Sequence, residues 1–368
     1  MSTSEADAAA AAAPALAPGL THVLCVSHFP CVDGSLAEAI IVWAGRVGDF
    51  QVDTLHMDHR ADHGVVNAQV QAWAHSQRAN PGAIILYVDV SPPLPVAAFL
   101  LSEWGAGSVV RVHVADHHDS AKADVAHFRD AVAAMGPGVD SRLAVTWGEG
   151  TGTAGCTLAE RWARAHGCLV DGINATVLEE VAFTDTTGEA TLATRAFKSD
   201  EWIKPAWETI LRCSAAELEG FRAQGAALLA TLSTRMAPLV AQIAVAAPEF
   251  SPPGTTLFIV SHPDARQLND LADVLWDRLG AKKADGPDAA NKNSVLLMHT
   301  VDESTSLRNA WWSDVNAKAA AQFLAAAHPM DTPAGGHPRA AGVRLPKAVL
   351  VTMFDTATPN AAEKFVKK

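Results

Sequence analysis

Short apolar runs alternate along the first half of the chain with stretches whose apolar residues recur at helical spacing. "THVLCVS" (21–27), "FQVDTLHM" (50–57), "AIILYVDV" (83–90), "SVVRVHVA" (108–115) and "RLAVTW" (142–147) read as strands. "SLAEAIIVWAGRVG" (35–48), "VVNAQVQAWAHSQRAN" (65–80), "PVAAFLLSEWG" and "DVAHFRDAVAAMG" read as the intervening helices. Strands alternating with helices of this length predict βαβ units and a parallel sheet. Near-continuous apolar strands predict a sheet covered on both faces. Residues 156–235 read as mostly helical. "APEFSPPGTT" (247–256) then breaks the pattern with proline and glycine. Beyond it the alternation restarts with strand "TLFIVS" (256–261), helix "ARQLNDLADVLWDRLG", strand "SVLLMHT" (294–300), helix "SDVNAKAAAQFLAAA" and a final strand "KAVLVTM" (347–353). The expected class is α/β, with a parallel-sheet N-terminal domain and a smaller α/β C-terminal domain. The expected division is a disordered tail at 1–19, a domain at 20–235, a linker at 236–255 and a second domain at 256–368.

Composition narrows the function. The chain has 368 residues and a formal charge of −12, so a basic stripe for gripping duplex nucleic acid is not expected. An acidic protein still binds phosphates where metal ions supply local positive charge. Five cysteines, widely spaced and without C-x-x-C, argue for a reducing compartment and hence a cytoplasmic protein. The first nineteen residues carry acidic side chains and no Lys or Arg, unlike a secretory or transit peptide. No apolar run reaches the roughly 18–20 residues of a membrane span. "MAPLVAQIAVAAP" (236–248) is too short and reads as a core or linker helix.

In open parallel sheets, ligands collect at the carboxyl ends of the strands. Those ends are unusually polar here. After the first strand, "HFPCVDG" presents His28, Cys31 and Asp33. "YVDVSPP" closes the third strand with Asp89, and "VADHHDS" follows the fourth with Asp116, His117, His118 and Asp119. "EEVAFTDTTG" adds Asp185 at a helix end. Each residue has an ordinary reading: Asp33 as a helix cap, Asp89 as a turn residue, the histidine pair as structural. Carboxylates and imidazoles converging from separate strand ends repel or desolvate one another unless a cation lies between them. This donor set suits Mn²⁺, Mg²⁺, Zn²⁺ or Fe²⁺.

These motifs resemble those of the DHH phosphoesterase superfamily. "ADHHDS" is similar to its Asp-His-His signature. "GGHPRAAG" (335–342) resembles the glycine-histidine motif of the DHH-associated C-terminal domain, and "STSLRNAWWSDVNAKAAAQF" (304–323) resembles the segment before it. The resemblance implies two divalent ions, most readily manganese, with Mg, Zn or Fe as alternatives. Its metal ligands would be His28, Asp33, Asp89 as the bridge, His117 and Asp185. His118 would face the substrate phosphate, and Asp116 would orient the histidines. Arg308 and His337 would grip substrate, with Gly335 and Gly336 letting the backbone approach a phosphate. Cys31 stands where many members carry a further aspartate. It is either a thiolate ligand, shifting preference toward zinc or iron, or a neutral thiol lining the site.

The implied activity is hydrolysis of phosphodiester bonds in short single-stranded oligonucleotides or linear or cyclic dinucleotides. Duplex nucleic acid and membranes are not expected partners, and a homodimer is compatible with the resemblance. The alternatives are a pyrophosphate or polyphosphate hydrolase and a non-catalytic nucleotide-binding protein. Three further signals point elsewhere. Gly150, Gly152 and Gly155 spell G-x-G-x-x-G, but after the fifth strand rather than the first of a nucleotide-binding half. "LHMDHRADH" (55–63) gathers His56, Asp58, His59, Asp62 and His63 and reads as a polar loop beside the crevice or as a separate metal site, with His59 or Arg60 within reach of substrate. Trp311 and Trp312 read as packing residues or as a base-stacking platform.

Overall fold

The computed structural model describes residues 19–29, 31–57, 64–118, 121–149, 153–168, 171–187, 190–197, 204–261, 268–280, 294–299, 304–310, 317–328, 335–337 and 340–359. The chain divides into two compact units, residues 1–186 with 197–220 and residues 187–196 with 221–368. The expected tail at 1–19 falls almost wholly outside the described residues, as do 58–63, Asp119, Gly150, Gly152, Trp311 and Trp312.

The first unit is α/β. Its elements run β1 (His22–His28), α1 (Val32–Gly48), β2 (Gln51–Met57), α2 (Gly64–Ser76), β3 (Ala83–Val88), α3 (Leu94–Gly105), β4 (Arg111–Asp116), α4 (Lys122–Ala134), α5 (Pro137–Asp140), β5 (Leu143–Trp147), α6 (Gly155–Ala165) and α7 (Ala175–Thr187). After α8 (Leu192–Phe197), which belongs mostly to the second unit, come α9 (Lys204–Leu211) and α10 (Ala215–Val240), within which the unit boundary falls. The five strands form one parallel sheet in the order β2-β1-β3-β4-β5. The chain leaves β1 toward one edge and returns to build toward the other, so the switch point lies between β1 and β3. Their carboxyl ends diverge there into opposite crossovers and leave a crevice.

Burial explains the near-continuous apolar strands. Every residue of β3 is buried. Ala83, Ile85 and Tyr87 join a core with Val70, Val96, Leu100 and Phe128 from α2, α3 and α4. The alternate side chains Ile84, Leu86 and Val88 are fully buried on the opposite face, where α1 packs with α6 and α9. Each such side chain stabilises the fold by about 1.5–3 kcal/mol relative to exposure.

The second unit continues with β6 (Ala244–Val245), β7 (Thr256–Ser261), α11 (Leu268–Gly280), β8 (Ser294–His299), β9 (Ser304–Asn309), α12 (Ala317–Ala327), β10 (Gly335–His337), β11 (Ala340–Arg344) and α13 (Lys347–Asp355). The six strands are ordered β10-β11-β9-β8-β7-β6. Only β7 and β8 pair in parallel; the remaining neighbours are antiparallel. Phe258 and Val260 pack under α11, while Leu257 and Ile259 pack under α12 and α13. Residues 236–255 hold the end of α10, β6 and a short 3-10 turn at Pro248–Phe250.

Two sequence expectations are corrected. The helix expected over 236–248 stops at Val240, and Ala244–Val245 pair with β7 as a strand. Residues 347–353 form a helix, not a strand. A short apolar run carries both readings. Here Pro346, extended at φ −57° and ψ 142°, starts the helix, and Leu350 and Met353 are buried three residues apart. Val351 between them is half exposed, as helical rather than alternating periodicity requires. The sheet is instead completed by β9 and β11, which the sequence reading left unassigned between its motifs.

Candidate metal centre

The switch-point crevice gathers side chains from β1, the start of α1, and the ends of β3, β4 and α7. His28 is the last residue of β1. Cys31 is the N-cap of α1, its sulfur accepting the Gly34 backbone N–H at 3.0 Å. Gly34 is required at this turn, because a Cβ there would overlap the carbonyl oxygen of His28. Asp33, in the first turn of α1, does not cap its own helix. Its carboxylate accepts the backbone N–H groups of Gly155 (2.5 Å) and Cys156 (2.8 Å) at the start of α6. The third glycine of the G-x-G-x-x-G pattern thus opens a helix whose N-terminal N–H groups meet an acceptor from within the chain. A side chain at Gly155 would overlap the Cβ of Asp89.

Asp89 sits at the centre. It adopts φ 59°, one of two non-glycine residues with positive φ among the described residues. Aspartate tolerates this left-handed conformation better than most side chains, at a cost of order 1 kcal/mol. Asp89 is buried, and its two oxygens face two different ways. Oδ2 lies 3.2 Å from Cys31 Sγ and 3.4 Å from His28 Nδ1. Oδ1 lies 3.0 Å from His117 Nε2. His117 Nε2 also lies 3.3 Å from Asp185 Oδ2 and 3.7 Å from Asp33 Oδ2.

Asp116, at the end of β4, organises the histidine pair. Its Oδ1 accepts the backbone N–H groups of His117 (2.7 Å) and His118 (3.1 Å) and sits 2.7 Å from His118 Nδ1. Ser91 Oγ donates to Oδ2 at 2.6 Å. Ser91 was not singled out by sequence reasoning; the only signal was its place in the Ser-Pro-Pro turn after Asp89.

Electrostatics follow from burial and crowding. Burial and the neighbouring charges of Asp89 and Asp185 push the Asp33 carboxyl well above the usual carboxylate range. Burial and Asp89 likewise raise Asp185. Burial also opposes ionisation of Asp89, but hydrogen bonds from His117 and His28 outweigh it and hold Asp89 well below the ordinary value. Burial disfavours charge on His117 and His118, yet Asp89 raises the first to about 9, and Asp116 with Asp89 raises the second to about 10. Burial, with Asp89, Asp33 and Asp185 nearby, pushes the Cys31 thiol well above its ordinary value, against the donated Gly34 N–H. Buried and crowded, these carboxylates oppose one another's ionisation. That is the condition a divalent cation relieves.

The donor atoms fit metal ions. They form three groups, each spanning no more than 4.8 Å: His28–Cys31–Asp89, Asp89–His117–His118 and Asp33–His117–Asp185. His28, Cys31, Asp33, Asp89, His117, His118 and Asp185 are thus brought together. Arg308, Gly335, Gly336 and His337 lie in the second unit. There Arg308 and His337 both stand opposite Ala340 across three adjacent strands, and Arg308 Nη1 donates to the Leu307 carbonyl at 2.8 Å.

A second network at the carboxyl end of β2 holds His56, which the sequence reading grouped with the polar residues after that strand; its partners Ser27 and Glu38 were not anticipated. The buried Glu38 carboxylate accepts from Ser27 Oγ at 2.8 Å and lies 2.6 Å from His56 Nε2, with the His56 ring stacked on Phe29. The signal was a lone acid inside the apolar stretch "SLAEAIIVWA" of α1.

Fold and site together define an α/β protein whose parallel sheet carries a carboxylate–imidazole cluster at its switch point. Neither a family model nor a curated protein sequence matches the chain. Solved structures do show similarity. RecJ from Thermus thermophilus, solved with Mn²⁺, is 14% identical with TM-score 0.47, covering 95% of this chain and 52% of RecJ. The chain therefore spans about half of RecJ's length. An exopolyphosphatase-related protein from Bacteroides fragilis is 12% identical with TM-score 0.49, covering 95% of this chain and 94% of that one. CDC45 from Entamoeba histolytica is 9% identical with TM-score 0.45, covering 95% and 96%. Similarity at this level leaves activity to be argued from the site itself.

Proposed function

We propose that the protein is a metal-dependent phosphoesterase of DHH type that hydrolyses phosphodiester bonds in short oligonucleotides or dinucleotides. One observation carries this reading: Asp89 turns one carboxylate oxygen toward His28 and Cys31 and the other toward His117, as a residue shared by two ion sites would. Divalent ions held there, manganese foremost, would supply the Lewis acidity that brings the pKa of a water to about 7 and offsets phosphoryl charge.

The chain's own residues supply the rest. Asp33, His117 and Asp185 form one end of the ligand set, and His28 with Cys31 the other. Asp116 fixes the orientation of His118 through Nδ1, so that its imidazolium serves as a proton-bearing partner for a phosphate oxygen. In the second unit, Arg308, His337 and the Gly335–Gly336 backbone hold the substrate phosphate. A net charge of −12 favours short substrates over long duplexes, which need more phosphate-neutralising Lys and Arg.

The test is a metal-by-substrate screen. Dinucleotides and short single strands should turn over fastest with Mn²⁺ present and not after chelation. Faster turnover of inorganic pyrophosphate would overturn the substrate assignment in favour of a phosphoanhydride hydrolase. Nucleotide binding without turnover under any metal would overturn catalysis.

A further inference from the structure

We propose that the centre is a mixed-metal site: the His28–Cys31–Asp89 corner takes a thiophilic ion, zinc or ferrous iron, through the Cys31 thiolate, and Asp33–His117–Asp185 takes a hard ion. The inference rests on the metal-centre reading above and deepens it by assigning each corner its own ion class.

Three observations support it. The first is geometric. Asp89 Oδ2 lies 3.2 Å from Cys31 Sγ and 3.4 Å from His28 Nδ1. Ligands sharing one ion at bonds of about 2.0–2.3 Å stand about 3.3–3.8 Å apart, and these two separations are close to that spacing, with all three donor atoms within 4.8 Å of one another. The second is the setting of the sulfur. It accepts the Gly34 N–H at 3.0 Å as N-cap of the seventeen-residue helix α1. These contacts fix the sulfur on the side of the crevice that carries His28 and Asp89. The close approach at Gly34 holds that turn in place. The third is the contrast between the corners. Asp33, His117 and Asp185 offer only oxygen and nitrogen, a set suited to manganese or magnesium. Among the described residues, Cys31 is the cysteine that joins a group able to hold an ion.

The experiment uses the full chain stripped of metal. Titration with Co²⁺ should produce a thiolate-to-cobalt charge-transfer band in the near ultraviolet. Cys31→Ser and Cys31→Asp should bind Co²⁺ without that band, with melting curves showing that each variant is folded. Competition of Zn²⁺ against a large excess of Mn²⁺, followed by elemental analysis, should retain zinc in the wild-type protein at a Zn-to-Mn ratio that Cys31→Asp lowers about tenfold. If Co²⁺ binds the wild-type protein without the band and Cys31→Asp leaves metal selectivity unchanged, the thiolate assignment is overturned while the phosphoesterase reading stands. If the folded wild-type protein binds no metal, both fail together.

Discussion

Two buried side chains show how single residues set chemistry and stability. Asp89 joins a strained backbone to a carboxylate with two separate neighbourhoods. Asparagine also tolerates positive φ, so Asp89→Asn should fold with a melting temperature close to wild type. It should lose one charged oxygen and with it at least about 100-fold in turnover, with reduced metal content by elemental analysis. His113, in the middle of β4, gives a prediction independent of the metal centre. Burial, with His166 and Arg111 nearby, lowers its pKa to about 3. Trp162 Nε1 donates to its Nδ1 at 2.8 Å, which the neutral ring accepts. In the unfolded chain the same group titrates near about 6.5. Above that pH both states are neutral and nothing is lost. As pH falls from about 6.5 toward about 3, the unfolded state gains a proton the folded state refuses, and stability drops by about 1.4 kcal/mol per unit. His113→Gln should therefore recover about 2 kcal/mol of the stability lost between pH 7.5 and pH 5. Denaturant titrations at both values measure it, and an unchanged acid slope would contradict the assignment.

At the scale of elements, the centre depends on the docking of α6 onto α1. The buried N–H groups of Gly155 and Cys156 are satisfied by Asp33, and leaving such donors unpaired costs about 1–3 kcal/mol each. Gly155→Ala should push α6 away from Asp89 and destabilise the fold by about 1–3 kcal/mol, with metal affinity falling in parallel. A thermal melt and a metal titration follow both; a variant with wild-type stability and affinity would show that α6 does not hold the site. The motif reading noticed this glycine for a different reason, because G-x-G-x-x-G before a helix is also a dinucleotide fingerprint. The local pattern promises an acceptor at a helix N-terminus, and only the fold shows that the acceptor is a side chain 122 positions away. The helix at Lys347–Asp355 gives the complementary case. Its apolar run suits a strand as well as a helix, and the outcome depended on which segments took the neighbouring sheet positions.

For the whole molecule, the two units carry separate parts of the proposed chemistry. Arg308→Ala should raise the apparent KM for dinucleotides about tenfold or more while leaving the metal content of the first unit unchanged. An unaltered KM would remove Arg308 from substrate binding. Among the described residues, no helix is long and apolar enough to cross a membrane.

In the first unit, the amino-acid order alone determined the alternation of strands and helices, the apolar character of both sheet faces, and the placing of His28, Asp89, Asp116 and His117 at strand ends. These are local consequences of periodicity and of where polar residues interrupt it. The tertiary structure decided what depends on which strands become neighbours. Placing β1 beside β3 turned Asp89 between Cys31 and His117. The return of α6 supplied the N–H groups that hold Asp33. The packing of α1 against the sheet joined Ser27, Glu38 and His56. Most of these contacts link residues far apart in the chain, and even the short Ser27–Glu38 link joins a strand to a helix, so no single period contains both partners.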